Sequence, residues 1–206
     1  ALGGCWFARG SRWFGGFVLV LTAVAWVTPA PLLGLGLKQA IDLLLSAEET
    51  VLAAIGADPE FPPLRSLLYD QPSPAPAVWV AVVRFFPVAV ALLWPAVRSI
   101  PQGFLDAAAL DGGRPAVWRG VVWPFVRPAF AQAAVAVGVL ALGEVVASKL
   151  VQPPGRQSFA QELFNQMHYG ADATVAAMSL LQITATAGMC GLFVLPSRKN
   201  RIAALT

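Results

Sequence analysis

The chain has 206 residues, 57% hydrophobic and 12% charged, with a mean hydropathy of +0.67 and a formal net charge of +3. An ordinary soluble domain carries about 25% charged residues, so this balance excludes one. The mild basicity does not point to nucleic acid, because no Lys/Arg run is interleaved with aromatics.

The 18 glycines and 17 prolines would suggest disorder in a polar chain; inside long apolar segments they fit membrane helices, where neighbouring groups satisfy the freed backbone. The expected fold is all-α, a polytopic transmembrane helical bundle with about four spans. Because the first residue is Ala1 rather than Met, the chain reads as a C-terminal fragment of a longer protein whose earlier helices are missing.

The first span is expected at Trp13 to Leu37, 25 uncharged residues between Arg12 and Lys38, enough for a hydrocarbon core of about 30 Å. Arg9 and Arg12 before an apolar run ending at Thr28-Pro29-Ala30 also resemble a signal peptide, but a cleaved leader leaves the later spans unexplained. Residues 38 to 57 are compatible with a helix lying on the membrane surface, ended by Asp58-Pro59 and further prolines. The second span is expected at 77 to 97, containing Arg84, Pro87 and Pro95. The third covers 128 to 147 with Glu144 near its far end, and the fourth covers 173 to 195, closed by Pro196 and the basic residues Arg198, Lys199 and Arg201.

Charge sets the orientation. Arg9 and Arg12, then Arg98, Arg114, Arg119 and Arg127, then the basic tail fall on one side. The 38 to 76 segment has two basic residues against six acidic ones, and 148 to 174 balances Lys149 and Arg156 with Glu162 and Asp172. The positive-inside rule makes the first set cytoplasmic, with both termini inside. Trp13, Trp79 and Trp94 fall near span ends, as indoles do at headgroup level; Trp26 does not, and is expected to pack between helices.

Between the second and third spans runs Asp106-Ala107-Ala108-Ala109-Leu110-Asp111-Gly112-Gly113-Arg114-Pro115-Ala116-Val117-Trp118-Arg119-Gly120-Val121-Val122-Trp123-Pro124. Residues 102 to 110 favour a helix, Gly112-Gly113 supply a stop with access to positive φ, and Pro115 suits the first turn of a second short helix. The product is an elbow between two helical arms. Its alanines permit close approach, and Val117, Trp118, Val121 and Val122 are expected to be apolar knobs offered to a partner.

This loop resembles the cytoplasmic loop of the permeases of binding-protein-dependent ABC importers, a pattern of Glu-Ala-Ala, Gly, an aliphatic residue and Pro. Asp106-Ala107-Ala108, Asp111-Gly112, Val121-Val122 and Pro124 carry the likeness, with Asp106 in place of the usual Glu and the Gly-to-Pro spacing about one residue short. Flanking segments, Val82-Val83-Arg84-Phe85-Phe86-Pro87, Leu67-Leu68-Tyr69-Asp70, Leu142-Gly143-Glu144 and His168-Tyr169-Gly170, look like the ferric-iron and related small-solute branch.

The resemblance implies a MetI-like permease core in a bacterial cytoplasmic membrane. Its partners would be an ATP-binding cassette subunit gripped by the loop, a periplasmic or extracellular solute-binding protein, a second permease half and the lipid bilayer. No cofactor is expected on this chain, which has no G-x-x-x-x-G-K-[ST] phosphate loop; ATP and Mg would belong to the partner ATPase. The solute would be ferric iron or another small solute, with thiamine, polyamine and phosphonate open.

Arg84 and Glu144 lie about 10 Å and about 5 Å in from the outer ends of their spans, similar depths that allow an intramembrane pair or a place on the solute path. No catalytic or metal site is expected: the single histidine, His168, has Tyr169 and Asp172 nearby but no ligand cluster, and Cys5 and Cys190 form no CxxC. A membrane-embedded enzyme would need a catalytic constellation, and a passive non-ABC channel or scaffold would need no elbow.

Overall fold

The structure is a computed structural model that describes residues 1–57, 62–155, 157–170 and 172–202, with side chains up to residue 191. Asp58-Pro59 and Arg156 lie outside the described residues, as do the side chains of Arg198, Lys199 and Arg201.

The described residues are helical, without a strand. In chain order the helices are α1 (Leu2–Gly10), α2 (Arg12–Val27), α3 (Ala30–Ala54), and α4 (Pro63–Arg65) running into a π turn at Ser66–Asp70. They continue with α5 (Ala75–Arg84), α6 (Phe86–Arg98), α7 (Gln102–Ala116), a π turn at Val117–Val122, and α8 (Trp123–Leu142). The last three are α9 (Val146–Val151), α10 (Phe159–Tyr169) and α11 (Asp172–Ile202).

Three stretches are long and apolar enough to cross a membrane: Ala30–Ala54, Gln102–Leu142 and Asp172–Gly191; α5 and α6 together would make a fourth. The length and composition of these helices are consistent with a membrane protein.

The spans differ in detail from those expected. The 13 to 37 run is not one helix: it breaks at Thr28-Pro29, where Pro29 takes an extended ψ of 145° and starts α3. Proline lacks the N–H that would continue α2 and disfavours a helical residue before it. The 16 residues of α2 cover only about 24 Å, short of the hydrocarbon core, whereas α3 has 25 and absorbs the segment expected to lie on the surface. The 77 to 97 run is likewise interrupted at Phe85 (φ −98°, ψ 10°), one residue before Phe86-Pro87 opens α6. The third helix ends at Leu142, so Glu144 sits in the break before α9 rather than inside a helix.

By its internal contacts the chain divides into two compact units. One comprises Ala1–Trp26, Phe85–Ala141 and Ile183–Thr206; the other comprises Val27–Arg84 and Leu142–Gln182.

In the first unit, Cys5 and Ala8 of α1 meet the buried stripe Val90, Leu93 and Val97 of α6, whose three- and four-residue spacing keeps one helical face inward. Val121, Val122 and Val126 complete that core. Arg9 closes the end of α6: its guanidinium donates to the carbonyls of Val97 (2.8 Å) and Ile100 (2.6 Å), placing positive charge where a helix leaves carbonyls unpaired. Arg98 lies 5.0 Å over the Trp94 ring. Trp26, expected between helices, is 70% exposed near the end of α2.

In the second unit, Leu33, Leu37 and Ile41 recur every four residues along α3 and pack with Val80, Ala147 and Val151. Gly34 sets the approach of α3 to α9: a Cβ there would lie 3.0 Å from the Ala147 Cα and 2.8 Å from Leu150 Cδ1. Farther along, the buried Glu48 accepts the backbone N–H groups of Leu64 (2.7 Å) and Arg65 (2.9 Å), tying the start of α4 to α3.

Candidate functional site

The elbow forms within the first unit. Pro101, with ψ of 139°, ends the preceding turn and α7 starts at Gln102, whose Nε2 donates to Asp106 Oδ1 one turn on at 3.0 Å. The helix stops at the two glycines, for different reasons. Gly113 has φ 64° and ψ −154°, a combination that side-chain-bearing residues avoid. Gly112 has an extended φ of −160°; what excludes a side chain there is Ala116, whose Cβ would lie 2.9 Å from an added one.

Pro115 falls just after the turn, as expected. The second arm is not a separate short helix: it widens into the π turn, closed by the Trp123 N–H on the Trp118 carbonyl, and runs on into α8.

The side chains divide into two sets. Asp106, Ala107, Asp111, Gly112 and Pro124 are exposed and Ala108 is half-buried. Val121 and Val122, expected as free knobs, are instead buried in the unit's own core, because the π turn packs against α7 within it; Val117 and Trp118 pack against the same core, with Trp118 5.2 Å from Trp6. The apolar groups that do point outward were not singled out from the sequence: Leu110, 89% exposed beside the turn, and Phe104 and Phe125, whose rings lie 6.1 Å apart. The available signal was helical phase. With Leu105 and Ala108 inward, Leu110 falls on the opposite side of the helix, and Phe104, Ala107 and Asp111 share one flank.

Arg84 and Glu144 are brought together in the second unit. Arg84 ends α5 and Glu144 occupies the break before α9; Arg84 Nε lies 2.6 Å from Glu144 Oε2, with side chains 31% and 8% exposed. The other carboxylate oxygen accepts the Ala147 N–H at 2.8 Å, while Ser148 Oγ donates to the Glu144 carbonyl at 2.9 Å. Both carboxylate oxygens thus hold the chain's own groups, and the pair fastens α5 to the start of α9.

His168 turns back on its own helix, its Nδ1 2.8 Å from the Phe164 carbonyl and its ring 4.3 Å from the Phe164 ring. Among the described residues no group of three or more His, Cys, Asp or Glu side chains has an arrangement suited to a metal ion. Burial pushes the Cys5 thiol above its ordinary pKa, which disfavours the thiolate. Compared with family models, curated proteins and solved structures, the chain matches none.

Proposed function

We propose that this chain is part of the transmembrane permease subunit of an ABC importer, coupled through residues 106 to 124 to a separate ATP-binding subunit. The observation that carries the reading is the elbow. An amphipathic arm is stopped by a turn only glycine adopts, its inner face is anchored in the core by Leu105, the arm beyond the turn is anchored by Val121 and Val122, and Ala107, Leu110 and Asp111 are left outward. A lever that transmits a partner's movement must be stiff behind and offer a contact surface in front; the buried valines support the first requirement and the outward residues support the second. Leu110, 89% exposed beside the Gly turn, supports the reading as an apolar group available to a partner.

In this reading the basic loops place both termini and the elbow on the cytoplasmic side of a bacterial membrane. A second permease half and a solute-binding protein complete the importer, with ferric iron or another small solute as cargo on the strength of the resemblance. Arg84 and Glu144 act as an intramembrane brace.

The test is co-purification of the full-length protein with the ATP-binding protein encoded beside it. The two are expected to remain together in detergent, Leu110→Lys is expected to separate them, and Gly112→Trp is expected to abolish uptake. Absence of any bound ATPase, with uptake unchanged in Gly112→Trp, overturns the proposal.

A further inference from the structure

Within the second unit an open cleft of about 590 Å³ lies between α9 and the first turns of α10. Its size is that of small-molecule sites, about 300 to 1,000 Å³. Lys149 lines it from α9, Gln161 and Glu162 line it from α10, and Pro153 and Phe164 supply apolar wall.

Gln161 is the informative residue. It is 5% exposed, and its side-chain oxygen accepts the Ser158 N–H while Ser158 Oγ accepts the Gln161 N–H, a reciprocal box that opens the 11-residue α10. That box fixes which end of the amide is oxygen, since a flipped amide would set two donors against each other. The Nε2 donor that remains is buried and has no hydrogen-bond partner among the described residues. An unmade buried hydrogen bond of this kind costs about 1–3 kcal/mol, so a ligand acceptor that met it would recover that loss.

Charges of both signs line the cleft. Lys149 and Glu162 line the same cleft, yet no ion pair joins them among the described residues; Glu162 Oε1 takes the Gln166 amide at 2.6 Å. The positive end of α10 adds to the attraction for an anionic group near Gln161.

We propose that this cleft binds a small zwitterionic solute of the amino-acid class, its carboxylate received by Lys149 and the Gln161 amide and its ammonium group by Glu162. The inference rests on the cleft alone and is independent of the importer reading, so binding can be present without ATPase coupling and the reverse.

The experiment is equilibrium binding to the full chain in lipid nanodiscs, using radiolabelled L-alanine, L-leucine and L-glutamine, with propionate and propylamine as analogues lacking one charge. At least one amino acid is expected to bind saturably and propionate and propylamine at least about 10-fold more weakly, the loss of one charge-assisted contact. Lys149→Met, on an exposed side chain, is expected to weaken amino-acid binding about 10-fold or more. Gln161→Glu keeps the acceptor of the box while removing the spare donor, and is expected to do the same with the helical circular dichroism unchanged. Saturable binding by none of the three amino acids, equal binding of propionate, or undiminished binding in Lys149→Met and Gln161→Glu overturns the proposal.

Discussion

Removing Arg84 should destabilise the second unit far more than neutralising its partner, an asymmetry that follows from how unequally the pair is buried. Glu144 is 8% exposed and Arg84 31%, with 2.6 Å between Nε and Oε2. In Arg84→Met the carboxylate stays buried, keeping the Ala147 N–H but losing its counter-charge, and stranding a buried charge costs about 3–5 kcal/mol. In Glu144→Gln the amide oxygen can still accept from Ala147, and the half-exposed guanidinium can turn to water, so the expected cost is only about 1–2 kcal/mol. The double variant Arg84→Met/Glu144→Gln strands no charge and should lie about 2 kcal/mol above Arg84→Met alone. Unfolding by SDS titration in mixed micelles, followed by far-ultraviolet circular dichroism and tryptophan fluorescence, measures all three against the parent. A double variant no more stable than Arg84→Met, or a coupling energy under about 0.5 kcal/mol, would refute the assignment of the pair as a structural brace.

Arg9→Met should cost about 2 kcal/mol, because two carbonyls at the end of α6 lose a charged donor, while Arg12→Met should stay within about 0.5 kcal/mol; equal effects in the same titration would contradict the capping role. Gly34→Ala should cost about 1–3 kcal/mol, since the new methyl meets the Ala147 backbone at 3.0 Å, and an unchanged midpoint would show that α9 yields freely. Gly113→Ala should cost about 1–3 kcal/mol from its positive φ, read as a lowered thermal midpoint, whereas Gly120→Ala, with open space around its Cα, should not. Cys5, 1% exposed and with its thiol pKa raised by burial, should resist a water-soluble maleimide at neutral pH until the first unit opens. Its linkage has a definite sign. The raised folded pKa leaves the thiol's contribution intact below the unfolded thiol's pKa and removes it as pH rises toward the folded value, so alkaline titration should lower stability in the parent more than in Cys5→Ala.

The membrane character, the all-helical class and the elbow were legible in the sequence because each depends on local chemistry. Apolar content over about 20 residues needs no partner to be read, and the Gly112-Gly113-Arg114-Pro115 run encodes its turn within four residues. The pairing of Arg84 with Glu144 was half legible: similar depth and opposite charge allowed it, but only packing in the second unit brought Oε2 to Nε.

Tertiary structure decided the rest. Val121 and Val122 look the same in sequence whether they face a partner or their own core, and only the packed structure shows them buried. Arg9 is one more cation before a span until Val97 and Ile100, 88 and 91 residues away, supply its acceptors. Gln161 is an ordinary cap residue until its amide Nε2 proves buried without a partner among the described residues. Hydropathy and turn chemistry act over a few residues and can be read along the chain, whereas the face a helix buries depends on contacts between segments far apart in it.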